Sequence, residues 1–306
     1  MNWDDIRFFL AVSRGGSLAA AAEELDVSPT TAGRRLVALE KALAVQLLHK
    51  TPEGYVLTRA GRHVHEQAER AEGAVLGVSR VAASHEDKLG GLVRLTCAEM
   101  VASHMLAPCL VGLQQEHPDL SIQLIPSARE LSLSMREADI AIRLSRPQQN
   151  ELFVRRIGLI EFGLYASRSY LDEHGMPDFD QGCEGHRTMI LIDDVQDADH
   201  VSWVQTLAPR ARPGLQTNSH GTLFEATLAG GGLACLSLFR AEQEPELVRI
   251  PAPYHPPPTE IFLVVHKDSR STPRIRLVLD AVTQNVRSIM SQFANPADRE
   301  KKEQKS

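Results

Sequence analysis

Residues 58–88 contain no proline and carry a regular repeat of small apolar residues, which constrains the fold more than any other feature of the sequence. The repeat advances by four and three residues in alternation, through Val64, Ala68, Ala71, Val75, Val78 and Ala82. This period is typical of the contact seam of a coiled coil. About thirty residues at about 1.5 Å each predict a helix of about 45 Å, which is long for a helix inside one compact domain.

Two globular parts are therefore expected, connected by this long helix with Thr58 as its N-cap. Pairing of two copies through the seam is the favoured interpretation. An amphipathic helix that packs on its own domain would show the same repeat, so the sequence leaves this alternative open.

Three short helices are predicted before the long helix. Apolar residues at helical spacing predict the first over residues 4–13, and Gly15-Gly16 ends it. Ser17 is a suitable N-cap for the second helix. Ser28 followed by Pro29 predicts the start of the third, with proline at the first helical position.

The third predicted helix has one apolar and one polar face. The apolar positions are Ala32, Leu36, Leu39 and Leu43, and the polar ones Thr30, Thr31, Arg34 and Arg35. Hydroxyl and guanidinium groups near a helix start suit the major groove of DNA. Two helices joined by a short turn make a helix-turn-helix, and residues 50–58 predict a β-hairpin wing. The predicted DNA-binding residues are Ser28, Pro29, Thr30, Thr31, Arg34, Arg35, Lys50 and Tyr55.

The overall charge does not by itself favour DNA binding. The net charge is −6, so any contact with DNA requires a local basic surface. Residues 1–62 contain nearly equal numbers of basic and acidic side chains, and a plain three-helix bundle is the structural alternative. Basic residues on the third helix and the wing, with acidic ones clustered on the second, favour DNA binding.

Residues 91–295 alternate apolar strands with helical segments, which predicts a mostly parallel, doubly wound α/β fold. The predicted strands are residues 92–96, 122–125, 139–143, 162–165, 189–192, 233–236 and 261–265. The predicted helices are residues 103–116, 131–136 and 274–293. The charged tail, residues 298–306, is expected to be disordered.

The sequence shows no cofactor or metal motif. Its four cysteines, Cys97, Cys109, Cys183 and Cys235, form no CxxC pair, and reduced buried thiols are the simplest interpretation. Motifs typical of hydrolases, metalloproteases and nucleotide-binding enzymes are absent from the sequence, so we expect no enzyme. The start of the chain does not have a signal peptide's layout, and no apolar run is long enough for a bilayer; we therefore expect a cytoplasmic protein without membrane contact.

The N-terminal segment resembles the LysR-type transcriptional regulators. The resemblance rests on Trp3-Asp4-Asp5, Gly15-Gly16-Ser17-Leu18, Ala21-Ala22, Leu25-Asp26-Val27-Ser28, Arg34-Arg35-Leu36, Leu39-Glu40 and Leu57-Thr58-Arg59-Ala60-Gly61. Two departures lie on or beside the DNA-reading face. Pro29-Thr30 stands where the family often has Gln-Pro, and Gly33 where it often has Ser, so the operator cannot be inferred from relatives.

The resemblance implies an all-α-rich winged helix-turn-helix over residues 1–62 and a dimer-forming linker helix over residues 58–89. Residues 91–295 are then a periplasmic-binding-protein-like effector domain of two subdomains, and 296–306 a tail. Subdomain I comprises residues 91–161 and 267–293, and subdomain II residues 162–266. The implied partners are double-stranded operator DNA, a small-molecule effector, further copies of the chain in a homodimer or homotetramer, and RNA polymerase.

The resemblance implies that the effector binds in the cleft between the subdomains. Open α/β sheets bind ligands beyond the carboxyl ends of their strands. The predicted effector-binding residues are Glu99, Met100, Val101, Ser103, Ser127, Arg129, Arg143, Asn218, Ser219 and Thr222. Arg129 or Arg143 can clamp a carboxylate, but either can instead form a structural salt bridge. Asn218-Ser219 can instead be a plain helix N-cap.

Two other classes of protein remain as alternatives. The second half alone suggests a solute-binding protein, which residues 1–62 and the missing signal peptide argue against. A small α/β enzyme with a helical appendage would need a catalytic constellation that the sequence does not show.

Overall fold

The computed structural model describes residues 2–84, 89–127, 133, 138–149, 151–192 and 198–293. The chain forms two compact units, which divide between Ala83 and Ser84. The predicted helix at residues 131–136 and the predicted tail lie outside the described residues, apart from Leu133.

The first unit consists of three short helices, a β-hairpin and a long helix. In chain order these are α1 (Trp3–Gly15), α2 (Leu18–Glu24), α3 (Pro29–Leu43), β1 (Leu48–Thr51), β2 (Gly54–Leu57) and α4 (Arg59–Ser84). The three predicted N-caps are confirmed. Ser17 Oγ accepts from the Ala20 amide at 3.0 Å, Ser28 Oγ from Thr31 at 3.2 Å, and Thr58 Oγ1 from Gly61 at 2.8 Å.

The apolar face of α3 packs into the core of the first unit. Leu36 and Leu39 are buried there against side chains of α1 and β1. The start of α4 contributes to the same core, since Ala68 is buried and Val64 packs beside it. Later in the helix, Val75 and Val78 are exposed. The predicted seam is therefore divided: Val64 and Ala68 pack on their own unit, as in the alternative interpretation, whereas Val75 and Val78 do not.

Backbone contacts at two glycines fix the hairpin and the start of α4. A Cβ atom at Gly61 would lie 2.0 Å from the Leu47 carbonyl oxygen, and one at Gly54 would lie 2.4 Å from that of Gly16. Gly54 also has a φ of 135°, which disfavours any residue with a side chain. Next to Gly61, the Thr58 amide donates to the Leu47 carbonyl at 2.9 Å. Main-chain contacts thus hold the hairpin at its turn, against Gly16, and at its base, where Leu47 meets the start of α4.

The second unit contains two five-stranded sheets. The first half of its elements are β3 (Gly91–Cys97), α5 (Glu99–Val101), a π-helical turn (Ala102–Leu106), α6 (Ala107–Glu116), β4 (Leu120–Pro126), β5 (Ile140–Arg143), β6 (Leu152–Ile160), β7 (Phe162–Ser167), α7 (Arg168–His174) and β8 (Arg187–Leu191). There follow α8 (Ala198–Leu207), β9 (Arg212–Thr217), α9 (His220–Leu228), β10 (Leu233–Ser237), α10 (Leu238–Ala241), β11 (Leu247–Ile250), β12 (Thr259–His266) and α11 (Pro273–Gln292).

Each sheet has four strands in one direction and one reversed strand. The first sheet has the order β4-β3-β5-β12-β6, with β12 antiparallel to both neighbours. The second has the order β11-β7-β10-β8-β9, with β7 antiparallel to both neighbours. The reversed strands are the first strands after the chain passes from one sheet to the other. This agrees with the predicted doubly wound α/β class and its mostly parallel sheets.

One predicted boundary is wrong. The family resemblance implies that subdomain II ends at residue 266 and so contains the strand predicted at residues 261–265. Val264 pairs with Ala141 of β5 and with Val154 of β6, so the strand lies in the first sheet. The chain therefore returns to the first sheet before β12, within the segment that follows β11. An apolar run carries no information on which sheet supplies its hydrogen-bond partners.

Three strands escaped prediction, β6, β9 and β11, and all three lie at sheet edges. Strand β6 carries Arg155-Arg156, and β9 contains Pro213-Gly214. Edge strands tolerate charges, proline and glycine because one side of the strand needs no hydrogen-bond partner. None of the described helices combines the length and apolar composition that crossing a bilayer requires.

We expect Gly61→Ala to destabilise the protein by about 1–3 kcal/mol or more, because the added methyl group overlaps the Leu47 carbonyl oxygen. Thermal unfolding followed by scanning calorimetry measures this effect. Gly112→Ala on α6 is the matched control, since nothing lies within 4 Å of its added Cβ. That control should leave stability unchanged or raise it by up to about 1 kcal/mol. Equal stability of the two variants would contradict the close approach at Gly61.

Candidate functional site

The exposed face of α3 is the candidate nucleic-acid interface. At about 100° per residue, the positions directly opposite the buried stripe are Thr30, Arg34, Val37 and Lys41, and all four are exposed. Among the described residues, the Arg34 guanidinium group has neither a hydrogen bond nor an ion pair. The face therefore presents one guanidinium group at its centre, flanked by a hydroxyl group and an isopropyl group.

Arg35 has a different role from its neighbour. Its Nη1 lies 3.2 Å from Oδ1 of Asp5, a nearly buried carboxylate on α1. The other Asp5 oxygen accepts from the Asn2 amide at 3.3 Å as part of a capping box. Arg35 thus joins α3 to α1, and the structure gives it a stabilising contact within the unit.

The remaining predicted DNA-binding residues on α3 also divide into exposed residues and residues that make contacts within the unit. Ser28 and Thr31 share a hydrogen bond of 2.9 Å between their hydroxyl groups at the helix cap. Pro29 is exposed beside them. Gly33, where the sequence departs from the family, lies beside α2, and its added Cβ would be 3.2 Å from Leu18 Cδ1. The departure at residue 33 therefore lies between two helices and away from the centre of the exposed face.

The wing contributes one exposed cation. Lys50 is exposed and pairs across the hairpin with Tyr55. Tyr55 is half-buried against the core of the unit, and its amide donates to the Gly16 carbonyl at 2.7 Å. Lys50 is thus available to a phosphate group, whereas Tyr55 packs the wing onto the helices.

In the second unit, predicted effector-binding residues gather around the carboxyl ends of β3, β4 and β5. The hydroxyl of Ser103 donates to Glu99 Oε1 at 2.7 Å. The Ser127 amide donates to the Cys97 carbonyl at 3.0 Å, and Arg143 is the last residue of β5. Burial, and to a smaller extent Glu99, raises the pKa of the Cys97 thiol, and Arg143 lowers it; the net pKa is about 12. Cys97 is thus close to one charge of each sign.

Two predicted residues of this group are packing residues. Val101 is completely buried in the core around the first sheet. Met100 is nearly buried, and its Sδ accepts from the hydroxyl of Ser237 in β10 at 3.7 Å. Met100 therefore connects α5 with the second sheet. Arg129 lies outside the described residues.

Asn218, Ser219 and Thr222 lie at the start of α9 and are exposed. Ser219 Oγ accepts from the Thr222 amide at 3.3 Å, so Ser219 is the N-cap that the alternative interpretation described. The position suits a ligand contact as well, because a helix N-terminus presents unpaired amides.

A pocket of about 320 Å³, its open mouth included, lies beside this helix start. Its walls are mostly apolar, with two imidazoles and one thiol: Phe162, Met189, Ile190, Leu191, Val204, Leu223, His200, His220 and Cys235. None of these residues was predicted from the sequence. His220 follows Ser219 directly and was within reach of prediction; no sequence signal points to His200, which α8 brings into place.

His200 is held rigidly at the pocket wall. Its ring lies 4.1 Å from the ring of Phe162, between centroids, and its Nε2 lies 2.7 Å from the Pro257 carbonyl oxygen. Because a carbonyl only accepts, Nε2 carries a hydrogen. The pocket thus has a flat aromatic wall with a fixed imidazole.

A second contact between elements of the two sheets involves His104. Burial lowers the pKa of His104, the nearby Arg240 of α10 lowers it further, and Glu99 raises it. The Arg240 guanidinium also stacks 4.0 Å above the ring of Phe224. Charged groups on elements beside both sheets, Glu99 of α5 and Arg240 of α10, thus act on His104.

Comparison with known families identifies the class of protein. The family of bacterial regulatory helix-turn-helix proteins of the lysR type matches residues 3–62, and the LysR substrate binding domain matches residues 86–287. The chain therefore belongs to the LysR family. It is a LysR-type transcriptional regulator with an effector-binding domain, as the sequence analysis predicted, and not an enzyme.

Individual relatives agree. The chain is 35% identical over 173 residues to the Mau operon transcriptional activator of Paracoccus denitrificans, an alignment that spans 56% of this chain and 61% of that protein. It is 26% identical over 294 residues to the regulator CrgA of Neisseria meningitidis, spanning 93% of this chain and 97% of CrgA.

Solved structures share the fold. The structure of CrgA from Neisseria meningitidis matches with a TM-score of 0.58 and 25% identity, covering 94% of this chain and 99% of that one. A full-length CbnR in complex with its target DNA matches with a TM-score of 0.58 and 19% identity, covering 93% of this chain and 100% of that one.

We expect Cys97 to resist alkylation by iodoacetamide in the folded protein at pH 8. With a pKa of about 12, about one thiol in ten thousand is ionised at that pH, and the thiolate is the reactive form. Cys235, which lines the open pocket, should react first. Peptide mass spectrometry distinguishes the two cysteines, and alkylation in urea provides the fully labelled reference. Modification of Cys97 as fast as that of Cys235 would contradict this placement.

Proposed function

We propose that the protein is a sequence-specific DNA-binding transcription regulator whose activity is set by a small-molecule effector bound between two α/β subdomains. The observation that carries the proposal is the exposed face of α3, where Arg34 stands opposite the buried stripe without a partner among the described residues. Membership of the LysR family and the solved complex of CbnR with its target DNA support it.

Within this proposal, the DNA-contacting residues have distinct roles. Arg34 binds a guanine edge or a phosphate in the major groove, and Thr30 contacts the same groove. Pro29 and Lys50 contact the flanking backbone. Ser28, Thr31 and Arg35 keep α3 in position through the cap and the Asp5 ion pair, and Tyr55 seats the wing.

The proposed effector site joins both sheets. Glu99, Ser103, Ser127, Arg129 and Arg143 are the proposed contacts from the first, with Met100 and Val101 supporting them from the core. Asn218, Ser219 and Thr222 are the proposed contacts from the second sheet, beside the pocket. Its apolar walls favour an effector with an apolar body, and Arg143 favours one with an anionic group.

The proposed arrangement of the chain is a winged domain at residues 1–62, a linker helix at residues 58–89 and an effector domain at residues 91–295, with β12 assigned to the first subdomain. Val75 and Val78, which α4 leaves exposed, pair the linker helices of a homodimer or homotetramer. Two recognition helices then read a divided operator in the cytoplasm, with RNA polymerase as the further partner. Effector binding shifts the oligomer between two arrangements with different affinities.

We expect Arg34→Ala to weaken specific DNA binding by about 10- to 100-fold, because a bidentate contact with a base is lost. The measurement is a gel shift with a duplex that the wild-type protein selects from a random-sequence pool. Binding should fall steeply as salt rises, as for any protein that neutralises phosphates. Circular dichroism shows whether the variant keeps its fold, since Arg34 has no described partner to lose.

The matched control is Arg7→Ala, which removes an exposed arginine of α1 that pairs with Asp4 at 3.4 Å. It should bind the selected duplex nearly as well as the wild type. If Arg34→Ala kept the full affinity for the duplex, the proposed contact between Arg34 and DNA would be wrong. A wild-type protein that selects no sequence from the pool would contradict the proposed function itself.

We expect the double variant Val75→Asp, Val78→Asp to break the oligomer, because two like charges per helix would face each other in the apolar seam. Light scattering of the purified protein measures its mass. Val56→Asp is the control, since it places a carboxylate on a comparably exposed valine of β2. An unchanged mass in the double variant would contradict the proposed pairing.

A further inference from the structure

Val37 is the one apolar side chain in the stripe of α3 directly opposite the core. It is 61% exposed, and among the described large apolar side chains only Val78 is more exposed. Its neighbours on the stripe, one turn to either side, are Arg34 and Lys41. A helix face built only for phosphate binding has no use for a branched apolar group between two cations. Val37 therefore presents the one apolar surface of this stripe to whatever α3 contacts.

The major groove contains one such surface, the C5-methyl group of thymine. Apart from the small C5–H of cytosine, the other groups that the base edges present there are hydrogen-bond donors or acceptors, which the two γ-methyl groups of valine cannot satisfy. We propose that Val37 contacts a thymine methyl group in the operator and so selects thymine at one position of each half-site. This inference rests on the proposed function, in which α3 enters the major groove.

The spacing along α3 limits where that thymine lies. Val37 follows Arg34 by three residues, a distance of about 4.5 Å along the helix axis. Successive base pairs are about 3.4 Å apart. The selected thymine is therefore one or two base pairs from the base or phosphate that Arg34 contacts. Lys41 lies one further turn along and reaches the flanking phosphates.

The experiment combines a base change with a side-chain change. The wild-type full-length protein selects duplexes from a random-sequence pool, and each thymine of the selected half-site is replaced in turn by deoxyuridine, which differs only by the missing methyl group. We expect one thymine position at which the replacement weakens wild-type binding about fourfold, which is the effect of losing one buried methyl group. Val37→Ala should bind both duplexes with nearly equal affinity, because the γ-methyl groups are gone.

Two further variants distinguish the contact from a general effect. Val111→Ala changes a comparably exposed valine on α6 of the other unit and should retain the full sensitivity to deoxyuridine. Val37→Thr keeps the shape of the side chain and one methyl group, so it should retain part of that sensitivity. Circular dichroism monitors the fold of each variant; Val37 contributes nothing to the buried core.

The outcomes are distinct. Loss of the sensitivity in Val37→Ala alone supports the inference. An unchanged sensitivity in Val37→Ala, or no sensitive thymine within two base pairs of the Arg34-dependent position, overturns it while the proposed function stands. Failure of the wild-type protein to enrich any sequence overturns both.

Discussion

The start of α4 against the hairpin is the contact on which the first unit depends. The Leu47 carbonyl accepts from the Thr58 amide, the Thr58 hydroxyl donates to the Gln46 carbonyl, and Gly61 leaves no room for a side chain. Ala68 then carries the same helix into the core. Further along, Arg14 of α1 pairs with Glu72 at 2.8 Å. The first half of α4 is therefore an integral part of the winged unit. A force on the helix at Val75 and Val78, which are exposed, acts directly on the unit that presents Arg34.

The two strands that change direction organise the second unit in a comparable way. A single residue, Glu161, separates the end of β6 from the start of β7, so it alone connects the two sheets at this point. Phe162, the first residue of β7, belongs to the core around the first sheet and also lines the pocket beside the second. A ligand that displaces the Phe162 ring or its neighbour His200 acts on the connection between the sheets. Because packed cores rearrange in discrete steps, such a displacement can move one sheet against the other.

How far the sequence predicts these features depends on how local their causes are. The caps at Ser17, Ser28 and Thr58 were predicted correctly, because a cap needs only a hydroxyl group and a start signal within three residues. The α/β class was also predicted correctly, because the alternating order of strands and helices can be recognised from local apolar patterns. The sheet that receives β12 was predicted wrongly, since its partners in β5 and β6 lie 99 or more residues away. The pocket was missed because α8, α9 and three strands meet there only in the folded chain.

Arg34 and Arg35 show the same limit at the level of single residues. Both belong to the polar face that the sequence assigns to α3. Successive residues of a helix are rotated by about 100°, which brings Arg35 beside Asp5 and leaves Arg34 directly opposite the core. A helix that reads DNA must be held in orientation and must also present free hydrogen-bond donors to the DNA. A guanidinium group in an ion pair within the fold has fewer donors left for that contact. In the function proposed above, the two tasks fall to adjacent arginines. With a net charge of −6 the protein gains little from general attraction to DNA, so the proposed recognition depends on the few groups that α3 holds clear of the fold.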